Sequence, residues 1–212
     1  MMKNKIISSV VFFWGLLYLN AQQLVFKDKN FEKAVIENFD LNKDGNIIQS
    51  EADRIENLFL VGKGIRATDD LRYFKNVKII VLDDNNIPVV SVKNTDRLQL
   101  FSCTNCKIST FTAENLKNLT SLYLDNNNIE NISLKSTPAI NQLTVSLNKI
   151  KAIDISGLKN LKHLNLEHNQ IRKLDISQNQ NLETLNVKQN PIRETDIKKG
   201  AKDVTIFGFQ QQ

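Results

Sequence analysis

Leu161 to Ile171 reads LKHLNLEHNQI, with apolar residues at its first, fourth and sixth places, Asn169 at the ninth and Ile171 at the eleventh. The same arrangement returns whenever the sequence is displaced by 21 residues. Val77, Leu98, Leu119, Ile140, Leu161 and Leu182 fall in one column, Ile80, Phe101, Leu122, Leu143, Leu164 and Leu185 in a second. Leu82, Cys103, Leu124, Val145, Leu166 and Val187 make a third. Then comes an Asn column, Asn85, Asn127, Asn148, Asn169 and Asn190, interrupted by Cys106, and two places on stands Ile87, Ile108, Ile129, Ile150, Ile171 and Ile192. A fixed period of this kind means a stack of like units, each burying its apolar face against the next.

The motif L-x-x-L-x-L-x-x-N-x-I resembles that of leucine-rich repeats, whose period is about 20 to 29 residues. The resemblance implies a solenoid in which each L-x-L is a short strand with its apolar side chains inward, and successive strands form one parallel sheet. The Asn column is expected to turn inward at the bend, where an amide can bond backbone groups that the turn would leave buried and unpaired.

The second half of each unit alternates as well. In KAIDISGLKN (151–160), RKLDISQNQN (172–181) and RETDIKKGAK (193–202), Ile153 pairs with Ile155, Leu174 with Ile176 and Thr195 with Ile197 at period two. That spacing predicts a mostly extended back face rather than helices. It resembles the repeats carrying LD(I/V)S in secreted bacterial leucine-rich repeat proteins. An imperfect unit, built on Ile55, Leu58, Leu60, Ile65, Leu71 and Phe74, precedes the others and runs 22 residues to Val77. DVTIFGF (203–209) offers a last strand with aromatics to close the open core. Residues 55–212 are thus expected to form seven repeat units and a capping strand, because a terminal unit has no neighbour to bury its face.

Ahead of the repeats stands FDLNKDGNIIQSEA (39–52). Asp40, Asn42, Asp44, Gly45 and Glu51 meet the spacing of an EF-hand calcium loop, D-x-[DN]-x-[DN]-G-x5-E. Gly45 permits the sharp turn, Asn46 would contribute its carbonyl and Glu51 two oxygens, while Ile48 at the ninth place has no ligand to give. Phe31, Ala34, Val35 and Phe39 share one helical face before the loop, and Ala52, Ile55, Leu58 and Phe59 are read as a second face after it. Residues 22–54 are therefore expected to form a small α-helical, EF-hand-like cap. Calcium is the expected cofactor, at about 10⁻⁴ to 10⁻³ M for a lone loop with three carboxylates. The alternative is an Asn/Asp/Gly turn without metal. A signal peptide, an EF-hand-like segment and 21-residue repeats, in that order, resemble a recurring arrangement of secreted bacterial leucine-rich repeat proteins, mostly regarded as protein-binding modules.

Residues 1–21 differ from the rest. Lys3 and Lys5 precede an apolar or small-residue run from Ile6 to Leu19, and Ala21 follows. This reads as a signal peptide cleaved after Ala21, too short in its apolar part for a membrane span, which places the mature chain in the periplasm or outside the cell. The remainder, drawn from a chain with 41% apolar and 24% charged residues, is ordinary for a soluble globular protein. Without Lys3 and Lys5 the formal charge falls from +5 to +3, with no basic stripe suited to nucleic acid.

The outward places around each L-x-L make three ladders, and solenoids commonly bind through such a surface. Ile79, Val81, Leu100 and Tyr123 form an apolar group in the first half, with Asp83, Asp125 and Glu167 as an acidic edge and His163 further along. A protein or cell-surface macromolecule is the expected partner. A calcium-dependent assembly or adhesion module, in which the helix-loop-helix docks and the repeats are a spacer, is the alternative. Cys103 and Cys106 both fall in inward columns, where buried packing is the favoured reading and a disulfide a second one. His163 and His168 lie far from them, so a zinc site is not expected, and no nucleophile with its base is discernible.

Overall fold

The computed structural model describes residues 22–209. The expected signal peptide, residues 1–21, lies outside them. Among the described residues no helix is long and apolar enough to cross a membrane.

The chain opens with helix α1 (Lys29–Phe39), followed after the loop by a single turn, α2 (Gln49–Ala52). Three-residue strands then recur: β1 (Asn57–Phe59) and β2 (Ile79–Val81), then, after β3 (Val89–Lys93), β4 (Leu100–Ser102). After β5 (Thr110–Glu114) comes β6 (Ser121–Tyr123), and after β7 (Asn131–Lys135) come β8 (Gln142–Thr144) and β9 (His163–Asn165). The two-residue β10 (Leu174–Asp175), β11 (Thr184–Asn186), the two-residue β12 (Ile197–Lys198) and β13 (Thr205–Phe207) complete the series. One parallel sheet of eight strands, in the order β1-β2-β4-β6-β8-β9-β11-β13, runs the length of the solenoid. Its register is the sequence period made visible, with Ile79 beside Leu100, Ser121, Gln142, His163, Thr184 and Thr205 in turn.

The three inward columns, the Ile column and both cysteines are buried, and Leu58, Leu60 and Phe101 are among the residues at 0% exposure. At the bend, each Asn side chain joins neighbouring units. The Asn148 carbonyl oxygen accepts the Ile129 N–H at 2.9 Å, and its amide donates to the carbonyls of Leu124, Val145 and Ser146 at 2.9, 3.1 and 3.0 Å. Asn85, Asn127, Asn169 and Asn190 repeat the pattern. A single residue type thereby satisfies backbone groups on both units that it touches.

The back face is extended only in part. β3, β5 and β7 form a three-stranded parallel sheet, and β10 pairs with β12, but no strand bridges the two groups. The gap falls at the D-x-S segment of residues 154–156, whose local bonds recur at Asp175, which still pairs within β10. Asp154 accepts the Ser156 N–H and hydroxyl at 2.9 and 2.7 Å, and Asp175 does the same with Ser177 at 2.9 and 2.6 Å. Such local bonds offer the backbone a turn in place of a ladder. Thr195, read as extended, lies in a short 3-10 helix, Glu194–Asp196, where Asp196 accepts from Arg193.

The second helical face is a larger departure. Ala52 ends α2, and Leu58 and Phe59 belong to β1, paired with Ile80 and Val81. Pairing with the neighbouring strand buries Leu58 completely and overrides the helical spacing of a short apolar run. The cap is instead fastened to the first unit by aromatic packing and by two carboxylates. Phe31 lies 5.7 Å from Phe74 between ring centroids, and Phe26 lies 5.4 Å from Tyr73. Asp28 accepts the N–H groups of Asn30 and Phe31 at the start of α1 and also that of Ala67 at 3.0 Å. Asp70, wholly buried, accepts from the backbone of Lys27 and Asp28.

Candidate functional site: the sheet face and the N-terminal loop

Alternation along each three-residue strand turns its middle side chain into the core and its first and third outward. The outward places of the first half gather an apolar group on β1, β2 and β4, which Ser102 and Ser121 interrupt before Tyr123. Phe59 stands beside Val81, and Ile79 beside Leu100, in the registered pairs of β1, β2 and β4. Tyr123 follows one strand on, beside Ser102, and its hydroxyl donates to Gln142 Oε1 at 3.1 Å. Ile79, Val81, Leu100 and Tyr123 are half-buried, whereas Phe59 is 57% and Val61 46% exposed. Those last two residues escape the sequence reading, because the helical interpretation of 52–59 hid their places in the ladders. The first unit's L-x-L pattern, Leu58 to Leu60, was the signal that could have revealed them.

The acidic edge is differently employed. Asp83 accepts the Ser102 hydroxyl and the Thr104 N–H at 2.6 and 2.8 Å. Asp125 accepts the Thr144 hydroxyl at 2.5 Å and the Ser146 N–H at 2.7 Å. Each carboxylate thus ties its own unit to the next across the sheet face. Glu167 accepts more weakly from the Asn186 amide at 3.0 Å, and exposed His163 meets the Thr184 hydroxyl through Nδ1 at 2.9 Å. Past Tyr123 the row is polar, and exposed Phe207 closes it on the capping strand.

In the N-terminal loop the side-chain oxygens of Asp40, Asn42 and Asp44 turn toward the loop's own main chain. Asp40 accepts from Lys43 and Gly45 at 2.8 Å each, Asn42 from Asp44 at 2.8 Å and Asp44 from Asn46 at 2.9 Å. Gly45, at φ +80°, supplies the sharp turn. Glu51 accepts the Ile48 N–H through Oε2 at 3.1 Å and is 7% exposed. Among the described residues, no Lys, Arg or His nitrogen comes within ion-pair distance of Asp40, Asp44 or Glu51. Neither do any three His, Cys, Asp or Glu side chains there converge on one point. The strand-like segment at the eighth place is paired by the chain's own beginning: Leu24 N–H donates to Ile47 O at 2.9 Å, with an antiparallel bridge between Gln23 and Ile48. At the second place of the loop, Leu41 is 63% exposed and lines, with Asn38, Phe39 and Phe59, a groove of about 640 Å³.

Cys103 and Cys106 are both buried in their inward columns and are joined in a disulfide, the second of the two readings that the sequence left open. Cys106 occupies an Asn place, and the ladder adjusts around it. The Ile87 N–H, which an Asn side chain would have met, donates to the Cys106 backbone carbonyl at 2.8 Å.

These features define the class: a leucine-rich repeat solenoid with a helical N-terminal cap. Residues 117–171 match the family described as leucine rich repeat. A comparison with curated protein sequences gives no match. Among solved structures, internalin C2 of Listeria monocytogenes is similar at 19% identity and a TM-score of 0.51, over 86% of this chain and 94% of that one. The functional domain of InlJ from the same organism, which includes a cysteine ladder, gives 19% identity and a TM-score of 0.49 over 80% of this chain and 52% of that one. A leucine-rich repeat protein of Leptospira interrogans gives 18% and 0.45 over 69% and 46%. The chain spans about half the length of the latter two. At this identity the likeness is one of fold.

Proposed function

We propose that the protein is a secreted or periplasmic protein-binding module that displays a preformed surface on the first half of its eight-stranded sheet. The observation that carries this reading is the apolar group Phe59, Val81, Ile79 and Leu100, adjoining in register on β1, β2 and β4, with Tyr123 beyond Ser102 and no covering element among the described residues. Adjoining apolar side chains on a rigid support resemble the anchor cluster of an interface, and a fixed backbone lowers the ordering cost of binding. Immobilised protein should retain a cell-surface protein that the Leu100→Ala/Tyr123→Ala double variant does not. Equal retention by both would remove the group from the binding site.

The N-terminal loop is proposed to take calcium. Its donors are all oxygen, its three carboxylates lack a cation of their own, and Asp40, Asn42, Asp44, Asn46 and Glu51 are of the types that a hard divalent ion selects. When bound, the ion would neutralise those carboxylates, while the protein's own part is to hold the loop between α1 and the bridge to Gln23.

A second reading, a calcium-dependent assembly or adhesion module docking through the cap, draws on the groove between Leu41 and Phe59. It requires that Leu41→Asp abolish retention of a partner that the Leu100→Ala/Tyr123→Ala variant still holds.

A further inference from the structure

The three-stranded back sheet has an open edge. Within β3, the even places face β5: Asn94 N–H donates to Glu114 O at 3.1 Å, and Thr110 N–H to Pro88 O at 3.4 Å. Backbone alternation then directs the N–H and C=O groups of Val89, Ser91 and Lys93 to the opposite edge. There the preceding unit would have to supply a strand, and it supplies instead a 3-10 helix, Asp69–Tyr73. The edge receives one side-chain bond from it, Ser91 N–H to Thr68 Oγ1 at 3.3 Å, and Lys93 O accepts the local Thr95 hydroxyl at 3.3 Å. A five-residue edge with unpaired main-chain groups is a template for a further strand.

A groove of about 540 Å³ lies along this edge, between the 66–72 segment and β3. Its floor is apolar, and Val89 is 60% exposed at one end. The charged residues that line it are Arg66, Arg72, Lys93 and Asp69. Asp69 is already engaged by Lys27 at 2.5 Å, and that lysine's hydrogen bond holds its carboxyl below the usual range. Lys93 leans to Glu114 at 2.9 Å, and Arg72 lies over the Tyr73 ring at 4.6 Å with its guanidinium 3.9 Å from Asp70. Arg66 has no acidic partner among the described residues. Of the three cations that line the groove, Arg66 is left without a carboxylate among the described residues, and the one carboxylate on the lining, Asp69, is already met by Lys27.

We infer that the free edge of β3 is a second binding site, which takes an extended acidic peptide segment of another protein as a fourth strand of the back sheet. Main-chain bonds to both groups of Val89, the Ser91 carbonyl and the Lys93 N–H would supply affinity, and carboxylates at alternate places would meet Arg66 first and Arg72 beside it. This site lies on the back sheet and does not depend on the apolar group of the front.

The test is a titration of the full chain with a fluorescein-labelled, end-capped octapeptide of alternating Glu and Val. Two controls run beside it: a peptide with Lys in place of Glu, and the Glu peptide N-methylated at alternate residues. The Glu peptide is expected to bind and to slow amide exchange of Val89 and Lys93 by about tenfold or more. Both controls should fail, and Arg66→Glu should weaken binding by about tenfold. Absence of binding up to about 1 mM peptide overturns the inference. Undiminished binding of the N-methylated peptide overturns it too, as does protection of the Val89 and Lys93 amides by self-association without peptide.

Discussion

Asn127 makes five hydrogen bonds with one amide group. Its oxygen accepts the N–H groups of Cys106 and Ile108, and its nitrogen donates to the carbonyls of Cys103, Leu124 and Asp125. Removal of the side chain strands several buried backbone groups at once, and each costs about 1–3 kcal/mol. Asn127→Ala is expected to lower the unfolding free energy by about 3 kcal/mol or more, read by denaturant titration. Leu147 shows the opposite opportunity. It sits in a column of left-handed residues with Asp84, Asn105, Asn126, His168 and Gln189, at φ +54°, and is 49% exposed. A leucine there is strained by roughly 1–2 kcal/mol, whereas Asn tolerates the conformation. Leu147→Asn should therefore stabilise the protein by about 0.5–1 kcal/mol in the same titration. The Asn column was legible in the sequence because its period is strict and its chemistry specific. The left-handed column was not, since six residues of five different kinds occupy it and only backbone geometry unites them.

At the scale of an element, the bend of the third unit shows how a repeat absorbs an exception. Cys106 stands where Asn is expected, and a bond to Cys103 substitutes for the side-chain hydrogen bonds. Cys103→Val with Cys106→Asn would rebuild the ladder from residue types already present in those columns. That variant should unfold within about 1 kcal/mol of the oxidised parent, as volume-conserving core exchanges do. A reductant should lower the melting temperature of the parent and leave the variant's unchanged. An equal response to reductant in both would show that the disulfide adds nothing. The back face makes a related point. β3, β5 and β7 form the sheet, which stops before the D-x-S segment of Asp154, where the carboxylate takes hydroxyl and N–H partners two residues on, whereas Asp175 makes the same bonds and still pairs with Lys198. Period-two alternation foretells an extended chain, but it does not say whether the backbone groups will pair with a neighbour or with a nearby side chain.

For the whole molecule, the decisive contact is the one between cap and solenoid. Asp28 and Asp70 grip backbone on both sides of that junction, and Phe26, Phe31, Tyr73 and Phe74 fill it. Anything that orders the cap should therefore steady the first repeats, whose outer face has no other neighbour among the described residues. Calcium is expected to raise the melting temperature by about 3–6 °C at about 10 mM for a Kd of about 1 mM, through roughly 1.4 kcal/mol of linkage. Glu51→Gln should shift much less. Because Gln can still accept the Ile48 N–H, the variant separates loss of ligand charge from loss of the cap at α2. No shift in either protein up to several millimolar would reduce the loop to a turn.

The sequence by itself determined the parallel stack, its period, its inward columns and the places of the outward ladders, because each of these repeats six times and a repeated pattern has one consistent packing. It also carried the spacing of the loop from Asp40 to Glu51, which is local. Tertiary structure alone decided what happens once. It moved Leu58 and Phe59 from a helix to the first strand, since strand pairing buries Leu58 more completely than a helical turn could. It joined Cys103 to Cys106, occupied Asp83 and Asp125 with cross-unit bonds, and left β3 with an open edge because the unit before it ends in a 3-10 helix. Such features depend on which neighbour a residue meets, and a single pass along the chain holds no record of that.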